Sequence, residues 1–235
     1  MENIGSAKVI RKKTELWVPH NYNKEIADFV YPAVGPDNYQ NVGNEILENK
    51  QFLSTGDYIA SLIHSAYYSN AVNEPEFQNI RNILKDSRIW VFNRNLWTDE
   101  GVYVIQDSEA IGTSQSLNQD YLENLLNGGK EISGIRFSQG RKVRFAPKES
   151  YEFGEHEYED FAKDGFVIAS FGIEGAKKLG EVSSKFIFKP ITMGIETNTP
   201  EQMISFLGGS SILNFRGDNL GDYKNVYGFG LLNNY

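Results

Sequence analysis

A run of acidic residues around one histidine has the clearest potential for catalysis. His156 is flanked by six carboxylates, which are Glu149, Glu152, Glu155, Glu157, Glu159 and Asp160. Carboxylates close to an imidazole can serve as general acid and base, which would fit a carboxylate-dependent hydrolase using the cluster at 149–160. The same run is also typical of an exposed helix start, because acidic side chains favour the positive end of the helix dipole.

Two glycine-containing motifs suggest other ligands, but each is incomplete. Residues 172–175 read Gly-Ile-Glu-Gly between a predicted strand and a predicted helix, where backbone N–H groups can bind phosphate. No Walker sequence or full GxGxxG motif is present and Glu174 would repel phosphate, which favours a simple tight turn. Residues 216–218 match an adhesion tripeptide, and Asp218 and Asp222 offer oxygen ligands without an EF-hand pattern. We therefore predict neither a metal nor a cofactor.

Trp97 and Tyr103 are predicted to lie on one β-hairpin. The segment 88–107 alternates like two strands, and the Thr-Asp-Glu-Gly sequence in its middle suits a three-residue loop. That loop length sets Trp97 opposite Tyr103 on one face of the hairpin. The two rings would form a stacking platform for a sugar, as in a carbohydrate-binding module, or would pack against the rest of the sheet.

The composition predicts a soluble globular protein that does not have nucleic acid or an anionic membrane as its main partner. The 235 residues are 40% hydrophobic and 23% charged, with a net charge of −8. There is no cysteine, which excludes disulfides, thiolate metal sites and cysteine nucleophiles. No apolar run approaches the roughly 20 residues of a membrane span, and the start lacks a secretory signal. The location is left open between the cytoplasm and a virion or cell surface reached through a partner.

Hydrophobic periodicity and turn residues predict interspersed helices and strands. The predicted helices span 38–50, 57–68, 75–85, 118–127, 155–163 and 173–184, and Pro200 begins a last short one. The predicted extended segments are 8–18, 165–171 and 185–196, with hairpins at 88–107 and 132–146. The second hairpin sets Arg136 opposite Arg144, a like-charge pair that needs an anionic neighbour. Because the strand pairs are hairpins, we expect an α+β fold in a single domain, 1–235, with 1–35 as an N-terminal appendage.

The last thirty residues have the composition of a contact surface rather than of an active site. Gly208 and Gly209 are predicted to open a strand, a polar loop follows, and a Gly-Phe-Gly strand closes the chain. Alternation along 210–216 sets Leu213 and Phe215 on a packed face and their neighbours on an outward face. The segment is rich in Tyr, Asn, Asp, Ser and Arg, which are the adaptable contact residues of antibody loops.

Two separated segments carry motifs that occur together in a known fold. Residues 52–60 read Phe-Leu-Ser-Thr-Gly-Asp-Tyr-Ile-Ala and resemble a Leu-Pro-Thr-x-x-x-Trp helix start, with serine for the proline and tyrosine for the tryptophan. Residues 208–211 and 227–231 resemble a Gly-Gly-Ser-Trp strand and a terminal Gly-Phe-Arg strand, with serine for the tryptophan and Gly230 for the arginine. Together these motifs resemble the C-type lectin fold of the formylglycine-generating-enzyme type.

The resemblance implies a C-type-lectin-like fold with antiparallel hairpins and flanking helices, and a ligand-binding role. The enzymatic branch of this superfamily oxidises its substrate with cysteines, which this chain lacks, so the resemblance implies no enzyme. The other branch contains the variable proteins of diversity-generating retroelements, found in phages, bacteria, archaea and their viruses. In those proteins, Asn codons of a C-terminal repeat change to many other residues. By this resemblance, 207–235 is a hypervariable region on a fixed scaffold.

The alternation and the resemblance together predict which residues contact a protein or glycan ligand. The predicted contact residues are Ile212, Asn214, Arg216, Asp218, Asn219, Asp222, Tyr223, Asn225 and Tyr227. The residues predicted to serve as scaffold are Gly208, Gly209, Gly228, Phe229 and Gly230.

Overall fold

Helices cover both faces of a large sheet, and a smaller sheet joins the two ends of the chain. The computed structural model describes residues 6–10, 14–20, 25–219 and 221–233. The helices in these ranges are α1 (Tyr39–Glu48), α2 (Gly56–Tyr68), α3 (Pro75–Asp86), α4 (Gln119–Leu126), α5 (Tyr158–Phe161) and α6 (Gly165–Ser183). The strands are β1 (Lys8–Ile10), β2 (Glu15–Pro19), β3 (Ile26–Val30), β4 (Phe52–Leu53), β5 (Arg88–Trp97), β6 (Gly101–Gln106), β7 (Lys130–Ile132), β8 (Ile135–Phe137), β9 (Val143–Pro147), β10 (Gly154–Glu155), β11 (Phe188–Met193), β12 (Glu201–Gly208), β13 (Ile212–Asp218) and β14 (Gly230–Leu231).

The strand order places the C-terminal hairpin inside the large sheet. In the described chain this sheet has nine strands in the order β10-β11-β13-β12-β5-β6-β9-β8-β7, and the smaller sheet has five in the order β1-β2-β3-β14-β4. Neighbouring strands are antiparallel except for β11 and β13, which are parallel. Helices interspersed with antiparallel strand pairs confirm the predicted α+β class.

The main core lies between the large sheet and helices α2, α3 and α6. On the opposite face, α1 covers a second cluster around Trp90, and α4 covers a third around Tyr103. Strand β5 is therefore covered on both faces and is buried almost throughout. The N-terminal strands belong to the same packing, since Leu16, Val18 and Phe29 join the main core.

The first four predicted helices are confirmed to within two residues at either end. Their caps explain this accuracy, because the Asn38 and Asn118 side chains accept hydrogen bonds from backbone N–H groups three residues later, both at 2.8 Å. Pro75 occupies the first turn of α3, where a proline N–H is not needed. Capping and apolar period are local signals, so they are readable from the sequence.

The segment 165–171, predicted as a strand, is the first half of α6. These residues are buried on every side, so no polar face reveals the helical period. Helix α6 is kinked at Gly172, where φ is 70° and ψ is 167°, and the Asp57 carboxylate lies alongside. The predicted turn between strand and helix at 172–175 is therefore wrong, and the neighbouring carboxylate disfavours phosphate there.

The short helix predicted from Pro200 is also wrong, because residues 201–208 form β12 in the middle of the large sheet. This strand pairs with β5 on one side and with β13 on the other. Residues 203–208 are all buried, since α1 covers one face and the main core covers the other. A strand covered on both faces gives a continuous apolar run instead of an alternating one.

The hairpin of β5 and β6 forms with a register one residue away from the prediction. Trp97 pairs with Val102, so Leu96 lies opposite Tyr103. The turn is closed by Thr98, whose N–H and hydroxyl both donate to the Gly101 carbonyl, at 2.8 and 3.0 Å. This closure shortens the loop by one residue relative to the prediction and turns Trp97 and Tyr103 to opposite faces of the sheet.

The hairpin of β8 and β9 also forms one residue away from its predicted register, in this case with a longer loop. Arg136 pairs with Phe145, and Phe137 pairs with Arg144. The predicted opposition of Arg136 and Arg144 is therefore wrong, because the two arginines point to opposite faces of the sheet. Each has a carboxylate partner of its own, Glu123 for Arg136 and Asp57 for Arg144.

Candidate ligand-binding surface

Strand β13 alternates between buried and half-exposed side chains, as its sequence predicts. Leu213, Phe215 and Gly217 are buried. Phe215 stacks with Phe166 and meets Phe171 edge-on, with ring centroids 4.6 Å apart in both pairs. One face of the strand is therefore held by α6, and the other is open. The half-exposed residues of the open face are Ile212, Asn214, Arg216 and Asp218.

The turn between β12 and β13 depends on Gly209. Its φ is +138°, and a Cβ at this position would overlap the Ile212 carbonyl oxygen. The glycine pair therefore ends β12 and forms the turn, instead of opening β13 as predicted. Gly208 pairs with Asn214 on one side and with Arg88 on the other. A Cβ on Gly208 would lie 2.8 Å from the Arg88 Cγ, so this glycine makes room for the arginine side chain.

An apolar strip on β11 lies beside the open face of β13. The paired residues are Phe188 with Ile212, Ile191 with Asn214, and Met193 with Arg216. Phe188 is 58% exposed and Met193 is 39% exposed, and the preceding Ile187 is more exposed still. Exposed apolar residues grouped in this way are typical of an interaction site. The sequence predicted an extended segment here but did not mark it as part of the surface.

The loop after β13 extends the surface towards the end of α3. The exposed residues of this loop include Asn219, Asp222, Tyr223 and Asn225. The Tyr223 ring lies over the Arg88 guanidinium, with 4.5 Å between the Cζ atom and the ring centroid. The Ser87 hydroxyl donates to the Asn225 Oδ1 at 3.3 Å. These two contacts attach the loop to the start of β5.

Tyr227 is placed differently from the other predicted contact residues. Its backbone forms a bridge beside Ile89, and its side chain is half-buried against the main core. The adjacent Phe229 is fully buried and meets Phe29 edge-on, with ring centroids 6.4 Å apart. The segment 226–231 thus packs into the core, and the open surface ends before it.

A recess of about 210 Å³ opens between α3, β5 and the β12–β13 turn. Lys85, Arg88, Phe206, Ser210 and Asn214 are among its lining residues. The Arg88 guanidinium carbon is 5.4 Å from the centroid of the Phe206 ring, in addition to its contact with Tyr223. Sequence reasoning missed Arg88, because a single arginine at the start of a strand is unremarkable and both aromatic neighbours are far along the chain.

The acidic run does not assemble around its histidine. His156 is buried, its Nε2 lies 2.6 Å from the Thr192 hydroxyl oxygen, and the six carboxylates of the run are exposed. Glu152 lines a separate cleft of about 350 Å³, and His156 is not among the residues that line it. The buried carboxylate nearby is Asp164, which caps α6 by accepting the Val167 N–H at 3.0 Å. Burial raises the pKa of Asp164, although its hydrogen bonds to backbone N–H groups oppose that shift.

The predicted aromatic platform for a sugar is wrong. Trp97 and Tyr103 are both fully buried. Trp97 packs against Phe166 and Phe153 in the main core, at centroid distances of 4.8 and 5.4 Å, whereas Tyr103 packs against Phe145 on the other face. Neither ring has a face available to a sugar, so the carbohydrate-binding module based on this pair is excluded.

The remaining sequence motifs do not form ligand sites of their own. Residues 216–218 lie within β13 with Gly217 buried, rather than on a protruding loop. Across the described residues, no group of three or more His, Asp or Glu side chains is placed to hold a metal ion. None of the helices in those ranges combines the length and apolar character needed to cross a membrane.

Comparison with known proteins gives a likeness in structure but none in sequence. No protein-family model matches the chain, and no curated protein is significantly similar to it. A solved structure from Nanoarchaeota, described as a C-type lectin fold that accommodates massive sequence variation, is similar in structure. The TM-score is 0.46 at 10% identity, over 85% of this chain and 94% of that chain. The function of this chain is therefore inferred from its own geometry.

Proposed function

We propose that this chain is a non-catalytic binding protein with a C-type-lectin-like scaffold. Its receptor surface is the open face of β13 together with Asn219, Asp222, Tyr223 and Asn225, which follow that strand. The observation that carries this proposal is the alternation along β13, because Phe215 anchors the strand while the residues beside it face outward. The outward Arg216 donates from its Nε to the Asn214 Oδ1 at 3.2 Å, so these two residues contact each other on the open side of the strand.

The positions of the lectin-type motifs support this scaffold. Gly230 pairs with Leu53, and Leu231 pairs with Phe52, so the terminal strand lies against the segment that leads into α2. The motifs at 52–60 and 227–231 are therefore neighbours in one sheet, although they lie at distant points of the sequence. A rigid scaffold of this kind, with a loop and one strand face exposed, suits recognition of a protein or glycan ligand.

We further propose that the outward positions between 210 and 227 vary in the native population, as in the variable proteins of diversity-generating retroelements. Changes at half-exposed positions without core contacts normally cost within about 0.5 kcal/mol each, so the scaffold tolerates them. Deep sequencing of the 3′ end of the gene tests this part of the proposal. Substitutions concentrated at those codons, and absent from Gly208, Gly209 and Phe229, are expected. A uniform 3′ end would rule out diversification and leave a receptor with a fixed ligand.

A pair of displayed libraries tests the binding function itself. One library randomises four outward positions, and a matched library randomises four inward ones. The outward positions are Asn214, Arg216, Asp218 and Tyr223, and the inward positions are Leu213, Phe215, Gly217 and Val226. The outward library should keep protease resistance on the cell surface and yield binders to a test protein such as lysozyme, while the inward library should lose resistance. Equal loss of resistance in both libraries would contradict the proposal.

A further inference from the structure

The recess between α3, β5 and the β12–β13 turn is lined by two cations that have no carboxylate at ion-pairing distance in the described part of the chain. These cations are Lys85 and Arg88. Arg136 and Arg144, by contrast, each form an ion pair, with Glu123 and Asp57 respectively. Asp86 also lines the recess but forms no ion pair with either cation. The recess is therefore locally basic in a chain whose net charge is −8.

The Arg88 guanidinium is positioned by two aromatic rings and keeps its N–H donors open. Its guanidinium carbon lies 4.5 Å from the Tyr223 ring centroid and 5.4 Å from that of Phe206. Cation–π contacts hold a guanidinium in place without a hydrogen-bond acceptor, so they leave its five N–H donors for a ligand. No acceptor for these donors lies among the described residues. An arginine that is preorganised in this way is suited to bind a carboxylate through two parallel hydrogen bonds.

The other polar groups around the recess are mainly donors as well. The Asn214 Oδ1 accepts from the Arg216 Nε at 3.2 Å, which leaves the Asn214 amide N–H groups available to the recess. The Ser210 hydroxyl lines the same opening. A site with two cations, an amide donor and a hydroxyl suits a group that only accepts hydrogen bonds, as an ionised carboxylate does.

We propose that this recess binds the carboxylate of an aspartate or glutamate side chain presented by a protein partner, with Arg88 as its bidentate ligand. The inference rests on the proposed function, since it names the ligand class of the same surface. The exposed Phe188 and Met193 on adjacent β11 favour a protein partner, because apolar side chains become buried at the centre of protein interfaces. The Asp86 carboxylate in the lining repels a doubly charged phosphate more strongly than a singly charged carboxylate, which favours the latter.

Titration of the full chain with small probes, followed by amide NMR signals of Gly208 and Gly209, tests the proposal. The probes are N-acetyl-glutamate N-methylamide, its neutral glutamine analogue, and glucuronate. The glutamate probe should cause saturable shifts, and the glutamine analogue should bind at least tenfold more weakly. Arg88→Gln should weaken binding of the glutamate probe at least tenfold. Arg88→Lys should have an affinity between those of the wild type and Arg88→Gln, because lysine keeps the charge but lacks the planar pair of donors.

Arg141→Gln is the matched control, since Arg141 is exposed in the turn between β8 and β9 and should leave binding unchanged. A thermal melt of each variant confirms that it is folded. Three outcomes would overturn the proposal. They are equal binding of the glutamate and glutamine probes, no binding of either probe, and wild-type affinity in Arg88→Gln. Glucuronate binding tenfold tighter than glutamate would overturn the assignment to a protein partner. The library experiment fails or succeeds independently of these results, so the two proposals are distinguishable.

Discussion

Arg144 on β9 donates a hydrogen bond of 2.7 Å from its Nη2 to the Oδ2 of Asp57, which lies in the first turn of α2. The Arg144 side chain is 4% exposed, and that of Asp57 is 29% exposed. The Arg144 Nη1 also donates to the Ala169 carbonyl of α6 at 3.1 Å. One buried arginine therefore joins the large sheet to both principal helices, close to the kink at Gly172.

Replacing this arginine should strongly destabilise the fold. Arg144→Gln leaves the Asp57 carboxylate without its partner, and breaking a buried ion pair in this way costs about 3–5 kcal/mol. Arg136→Gln is the matched control, because the Arg136–Glu123 pair is one-third exposed and exposed pairs contribute about 1 kcal/mol or less. Urea denaturation of both variants gives the free energies of unfolding. Similar losses in the two variants would show that the Arg144 pair has no special role.

Acid should destabilise the protein partly through His20. This ring stacks on Tyr58 with centroids 4.1 Å apart, and burial lowers the pKa of His20 from 6.5 to about 4. As the pH falls, the unfolded chain therefore binds the proton before the folded chain does. The contribution of neutral His20 to the free energy of unfolding is therefore fully present above pH 6.5 and is lost as the pH falls towards 4. Its size is on the order of 3 kcal/mol.

The His20→Phe variant isolates this contribution, because phenylalanine retains a ring against Tyr58 but cannot bind a proton. The free energy of unfolding should be measured in urea at pH 6.5 and at pH 4.5. The wild type should lose more stability between these two pH values than His20→Phe does. Identical losses would mean that His20 does not contribute and that carboxylates alone cause the acid dependence.

The start of α2 should tolerate no side chain at Gly56. A Cβ at this position would overlap the Ser170 carbonyl oxygen of α6, although alanine is otherwise favoured in helices. We expect Gly56→Ala to lower the free energy of unfolding by about 2 kcal/mol, within the range seen for overpacked cores. Gly140→Ala is the control, since nothing lies within 4 Å of a Cβ there. Calorimetric melting that shows equal stability for both variants would contradict this close approach of α2 to α6.

The receptor surface should be separable from the core by stability measurements alone. A triple variant with serine in place of Asn214, Asp218 and Tyr223 should lose no more than about 1.5 kcal/mol in free energy of unfolding. Substitutions at exposed positions normally change it by within about 0.5 kcal/mol each. Phe215→Ala removes a fully buried ring from the same strand and should lower the free energy of unfolding by about 3–5 kcal/mol. Thermal denaturation compares the two variants. A triple variant as unstable as Phe215→Ala would place these three residues in the core.

The errors in the predicted elements have one common cause. Residues 165–171 and 203–208 are buried on both sides, so their largely apolar sequences show neither helical nor strand period. The register of the first hairpin was wrong for a different, local reason, because hydrogen bonds of the Thr98 side chain closed its turn in a way that the residue types did not specify. Helix or strand identity at these sites depends on the partners that cover them.

The sequence by itself determined the capped helices, the α+β class and the alternation of β13, since each follows from residues within a few positions of one another. Only the tertiary structure decided that Arg88 meets Phe206 and Tyr223, that Arg144 meets Asp57, and that β11 lies beside β13. These relationships join distant segments, and they depend on how strands and helices pack rather than on local preference. The open strand face was therefore predictable, whereas its basic recess was not.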